Sequence, residues 1–216
     1  MSQTALQQTR PYSAGAELAN AISHGLGAVL AAVGAVVLVA AGLSRGNAWH
    51  VVSFSVFAAS ALLLYLMSTL YHAIRSPRAK RVFKVLDHAS IYVLIAGTYT
   101  PFALVALRPG VGWWIFGIVW GAALLGIALE PFRTRQTKIL TSVAYVAMGW
   151  IVVFAWKPLA ASVGADTLWF LMGGGLAYTL GVAFYAGKAS WSHPVWHLFV
   201  GAGTILHFFA VLSLLP

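Results

Sequence analysis

The 216-residue chain contains no cysteine, only four acidic residues, and a charged fraction of 8%. The missing cysteine excludes disulfides, thiolate metal sites and cysteine nucleophiles. The scarcity of charge excludes a water-soluble domain, in which about a quarter of residues are charged. The N-terminal stretch MSQTALQQTRPYSAGAELAN has no apolar core. No cleavable signal peptide is therefore expected, and residues 1–20 read as a polar lead-in, partly disordered. What is abundant is apolar: 61% of the residues are hydrophobic and the mean hydropathy is +0.86. The 13 Lys and Arg residues leave a formal net charge of +9. In so apolar a chain that charge points to membrane lipids and anionic inner-leaflet headgroups as partners rather than to nucleic acid.

A spanning helix needs about 20 mostly apolar residues. Seven stretches qualify, over residues 22–43, 49–73, 83–107, 111–130, 138–157, 167–187 and 194–215. They are too long, and too little alternating, to be strands. The breaks between them are short and carry turn residues, as in SRGN, RSPRAKR and RPG. The expected fold is an all-α membrane protein, a bundle of seven transmembrane helices filling residues 21–216 as one domain. Gly173, Gly174 and Gly175 predict close helix packing in the sixth segment.

With seven spans, one side of the membrane carries Arg10, Arg75, Arg78, Lys80, Arg81, Lys84, Arg133, Arg135, Lys138 and Lys188. The other carries only Arg45, Arg108 and Lys157. The positive-inside rule then places the N-terminus in the cytoplasm and the C-terminus outside. On that topology Ser68 and His72 end the second segment, Asp87 and His88 open the third, and His193 and His197 open the seventh. Glu17, Asn20 and His24 precede or open the first. All of these sit at the cytoplasmic end.

Polar groups inside membrane helices are costly and face a partner or a cavity. Ser68 and His72 are four residues apart, and so are His193 and His197; each pair shares a helical face about 6 Å apart along the axis. Two imidazoles so spaced can hold one metal ion with a further ligand from a neighbouring helix. His72 is the best-placed third ligand, and Asp87 offers a carboxylate at the same depth. Pro194 pushes His193 away from helical geometry, so His193 is expected as a cap. His207, about 15 Å further along the axis than His197, lies too far to share the ion. It is expected, with His24 and His88, to make an interhelical hydrogen bond, and His50 to be an interfacial or hydrogen-bonding residue.

The pieces ELANAISHGLG, STLYHA, LDHASIYVLIAGTYTP and SHPVWHLFVGAGTILHFFAV resemble the haemolysin III family of bacterial membrane proteins, within the progestin and adipoQ receptor (PAQR) superfamily. The resemblance covers essentially the whole chain. It implies a multi-pass protein of the bacterial cytoplasmic membrane with zinc held by His72, His193 and His197, and with Asp87 and Ser68 close by. Three neutral histidines leave zinc an open fourth position, the catalytic rather than the closed structural pattern. Zinc lowers the pKa of a water bound there to about 7. Asp87 could orient that water and take its proton, and Ser68 could bond the Asp or a substrate carbonyl. The leading expectation is a zinc-dependent hydrolase of a membrane lipid amide or ester. The alternatives are a non-enzymatic regulator or sensor of membrane state with structural zinc, and a pore-forming haemolysin.

Overall fold

The computed structural model describes residues 13–134, 137–187, 189 and 191–216. Its elements are α1 (Ala14–Arg45), α2 (Ala48–Ala73), α3 (Pro77–Pro101), α4 (Gly112–Leu129), α5 (Lys138–Gly149), α6 (Trp156–Ser162), α7 (Ala165–Ala186) and α8 (Ser192–Leu212). Helices α5 and α6 join through a 3-10 turn, Ile151–Ala155, into one span, so seven helices among the described residues are long and apolar enough to cross a membrane. The exposed flanks carry Val36, Leu43, Ile139, Phe154 and Trp169. Such a surface suits lipid and would aggregate in water.

The ends of these helices follow from local chemistry. Ser13 caps α1, its hydroxyl accepting from the Ala16 N–H at 3.2 Å. The helix therefore starts eight residues before the apolar run, and Glu17 and Asn20 are helical rather than part of a lead-in. Asn47 caps α2 and His50 returns the favour, accepting from the Asn47 N–H at 3.2 Å; this is a capping box. The other ring nitrogen of His50 bonds the Leu214 carbonyl at 3.3 Å, so His50 serves the hydrogen-bonding role expected of it. Pro77 opens α3, where its missing N–H costs nothing. This draws Lys80 and Arg81 into a helix that the sequence begins only at residue 83.

Two backbone irregularities fall within apolar spans, where every polar group needs a partner. Pro101 cannot donate to the preceding turn, and α3 continues into a π-helical turn, Phe102–Ala106. The break between α5 and α6 is spliced by Tyr99. Its hydroxyl donates to the Gly149 carbonyl at 2.7 Å and accepts from the Val152 N–H at 2.9 Å.

Helix α3 is central, with 72% of its apolar stretch buried; α1, with 17%, is peripheral. Helix α1 packs on α2 and α8, α2 on α3, and α7 on α8. Gly174 is the close contact expected of the sixth segment, since a Cβ there would overlap the His207 imidazole. Gly175 faces open space and Gly173 only touches Leu206.

Candidate metal centre

Histidine side chains meet at one end of the bundle because of where one helix stops and another starts. His72 lies in the last turn of α2, and His193 and His197 occupy the first two turns of α8. The α8 helix begins at Ser192, so His193 is inside its first turn and not a cap. Pro194, the third residue of that turn, lacks only an N–H that would have been unpaired there anyway.

The three imidazoles form a nearly equilateral cluster. Ring centroids are 5.2 Å apart for His72 and His193, 5.2 Å for His72 and His197, and 4.7 Å for His193 and His197. All three are buried, and one ligand nitrogen from each lies within 4.8 Å of the others. Tetrahedral zinc needs nitrogen–nitrogen separations of about 3.4 Å. The group therefore fits a metal ion after side-chain shifts on the order of an ångström, and the sequence-derived set is the one brought together. Asp87 stands outside that ligand set. It lines the same cavity as Ser68, His193 and His197, and Ser68 lies near its carboxyl outside good hydrogen-bond geometry.

The outward nitrogens are held by α1. The His72 Nδ1 lies 2.6 Å from Glu17 Oε2, so Nδ1 carries the proton and Nε2 the lone pair. Ser23 Oγ donates to the Asn20 carbonyl at 3.1 Å and lies 3.1 Å from His197 Nδ1. With its proton on that carbonyl, Ser23 is placed to accept from His197 Nδ1–H, the tautomer that leaves Nε2 for a metal ion. A histidine bound to metal through one nitrogen and hydrogen-bonded through the other is the usual arrangement at zinc sites.

His24 departs from expectation. Both of its ring nitrogens are buried without a hydrogen-bond partner among the described residues. Instead of bridging helices by a hydrogen bond, its ring stacks on His197, centroids 3.5 Å apart and planes 9° from parallel. His207 and His88 do make the interhelical bonds anticipated, to the Leu171 carbonyl at 3.1 Å and to Glu130 Oε1 at 3.1 Å. Glu130 also accepts from Arg133 Nη1 at 3.0 Å, and Arg133 Nη2 donates to the Tyr185 hydroxyl at 2.7 Å. The Tyr185 ring in turn lies 6.0 Å from His193. Neither this network nor the α1 contacts were recognised from sequence. The signal for the latter was the polar series Glu17, Asn20, His24 at helical spacing in an otherwise apolar segment.

From the histidines a cavity of about 130 Å³ runs into the bundle. His24, Ser68 and Asp87 are among the residues that line it, and Ile95, Leu159 and Val200 are among its apolar walls.

The architecture and the buried triad define a multi-pass helical membrane protein with a candidate intramembrane metal centre. Residues 12–208 match the family described as "Haemolysin-III related". The chain is 41% identical over 197 residues to the "Hemolysin-3" protein of Bacillus cereus, covering 91% of this chain and 90% of the relative. It is 43% identical over 197 residues to the "Hemolysin-3 homolog" of Bacillus subtilis (strain 168), covering 91% and 92%. A more distant likeness, 26% over 204 residues, covers 89% of the chain and 82% of the human "Monocyte to macrophage differentiation factor". The chain belongs to the haemolysin III family.

Proposed function

We propose that the protein is a zinc-dependent hydrolase of membrane lipid, acting on an amide or ester, with His72, His193 and His197 as metal ligands. The observation that carries this reading is the buried triad, two of whose members, His193 and His197, line an apolar cavity together with Asp87 and Ser68. Zinc bound there would supply a Lewis acid and a water of lowered pKa.

The remaining roles belong to side chains of the chain itself. Asp87, on α3, is the group that takes a proton. The first turn of α8 carries Pro194 after His193, and not the glutamate of an HExxH zinc protease, so the base must come from another helix. Ser68 sits where it can hold that carboxyl or donate to a substrate carbonyl. The apolar walls take hydrocarbon and exclude bulk water, which strengthens each polar contact at the reacting end. The imbalance of basic residues orients this end toward the cytoplasm of a bacterial inner membrane, and exposed Arg75, Arg78 and Arg81 contact anionic headgroups.

The test is turnover of ceramides, acyl amides and phospholipids by purified protein of verified zinc content, with and without chelator. Hydrolysis that stops on chelation and returns with zinc is expected. Full zinc occupancy with no turnover across the panel defeats the hydrolase reading. A second reading keeps the zinc as a clasp, because ligands from α2 and α8 would tie two helices together. It requires cellular function to survive Asp87→Asn.

A further inference from the structure

We propose that Glu17 is a positioning residue of the metal centre: its carboxylate, held by Lys80, fixes the His72 imidazole with Nε2 turned to the ion. The inference rests on the metal reading above and adds a role for α1, a helix that supplies no ligand.

Glu17 joins three helices. One carboxylate oxygen, Oε2, lies 2.6 Å from His72 Nδ1 on α2. The other, Oε1, accepts from Lys80 Nζ on α3 at 2.7 Å. With each oxygen engaged by a different partner, the carboxylate cannot rotate without breaking one contact. The histidine side chain of the pair is fully buried, and that of Glu17 is 20% exposed. A carboxylate so placed does three things to a ligand histidine. It keeps the proton on Nδ1, it fixes the plane of the ring, and it makes Nε2 a better donor to a cation. The Asn20 amide nitrogen, Nδ2, lies 3.4 Å from the same Nδ1. A donor cannot accept the Nδ1 proton, so the acceptor for that proton is Glu17.

A plain helix-to-helix ion pair would look similar in outline but differ in consequence. Its loss would loosen α1 and lower stability with or without metal. A positioning carboxylate acts on metal affinity and on the ligand field. The distinction also separates the two oxygens. Lys80 Nζ reaches the carboxylate and also lies over the Tyr71 ring, 5.2 Å from its centroid, so Lys80→Met acts on the metal through Glu17 together with that ring contact.

The experiment uses full-length protein in detergent. Zinc affinity is measured by competition with a chromophoric chelator, the visible spectrum of the cobalt-substituted protein is recorded, and the thermal midpoint of the metal-free form is taken. The variants are Glu17→Leu, Glu17→Gln and Lys80→Met. Glu17→Leu is expected to lose about 10- to 100-fold in zinc affinity and to change the cobalt spectrum. Glu17→Gln, whose amide oxygen still accepts from Nδ1–H, retains most of the affinity, and Lys80→Met loses a few-fold. Zinc binding by Glu17→Leu within twofold of wild type overturns the proposal. So do equal losses in the Leu and Gln variants, or an affinity loss that only tracks a fall in the metal-free midpoint. If Glu17→Leu does not fold, Glu17→Gln and Lys80→Met decide, and the proposal fails if neither shifts affinity or spectrum. A wild type that takes up no zinc ends the metal reading itself; normal wild-type binding with an indifferent Glu17 ends only this inference.

Discussion

The Glu130–Arg133 pair gives a sharp energetic test of how the metal-site end of the bundle is held. The two side chains are 3% and 10% exposed, and the Nη1–Oε1 distance is 3.0 Å. Glu130 also takes the His88 contact, and Arg133 also reaches Tyr185. Charge centres about 4 Å apart attract by roughly 4 kcal/mol at an effective dielectric of about 20. Removing one partner of a buried pair typically costs about 3–5 kcal/mol, because the other charge is left uncompensated. Glu130→Gln should therefore destabilise the protein by about 3 kcal/mol or more. Arg133→Gln should cost a similar amount, since it also frees the Tyr185 hydroxyl. The double variant strands no charge, so it should cost less than the two singles together by on the order of 2–3 kcal/mol, the coupling a cycle isolates. The assay is reversible unfolding of the reconstituted protein by added denaturing detergent, with all four proteins in one lipid mixture. Strict additivity would show that the charges are solvated and do not interact, and the buried-network reading would fail.

Three further outcomes follow from particular side chains. His197→Ala removes one of three converging nitrogens and should abolish stoichiometric zinc by elemental analysis, whereas His207→Ala, outside the ligand group, should leave it. Asp87→Asn should keep zinc bound while lipid turnover falls by about 100-fold or more, the scale of a general acid–base group; unchanged turnover would remove Asp87 from the chemistry. Gly174→Ala forces a Cβ into the His207 ring and should cost about 1–3 kcal/mol. Gly175→Ala, with nothing within 4 Å, should be neutral or stabilise by up to about 1 kcal/mol through helix propensity. Thermal midpoints of the pair decide the point.

The spans were legible because lipid imposes one strong rule, that the backbone bonds itself and the side chains facing hydrocarbon are apolar. Helix starts were less so. Ser13 extends α1 to Ala14 through a single side-chain bond, and Pro77 extends α3 outward past Arg81. Hydropathy sees neither, since a cap is a local hydrogen bond in polar sequence. The irregular turns after Pro101 and Gly149 were likewise invisible, because what stabilises the second is the hydroxyl of Tyr99, fifty residues away. Pro194 predicts a cap at His193, but the first turn of a helix has room to satisfy the steric rule before proline, and His193 is helical.

The same division runs through the metal centre. Ligands could be found from sequence because a spacing of four residues puts two side chains on one face, and because helix ends at one depth bring His72 toward α8. What surrounds the ligands depends on the rotation of α1 about its own axis, which is set by packing against α2 and α8. Only once that rotation is fixed do Glu17 and Ser23 meet the outer nitrogens of His72 and His197. Helix α1 is mostly lipid-facing, so a polar series on it carries a cost unless each member finds a partner inward. Glu17 and Ser23 find one, Asn20 finds one for its Nδ2 but not for its Oδ1, and His24 finds an aromatic face in place of a hydrogen bond. Burying an imidazole with both nitrogens unbonded costs on the order of 1–3 kcal/mol per lost bond. That cost is tolerable beside a cavity lined in part by Ser68 and Asp87, where a lipid headgroup would supply the partner the protein withholds. Hydrogen exchange or neutron data showing His24 bonded in the lipid-loaded protein would bear this out, and a His24→Phe variant with unchanged lipid binding would count against it.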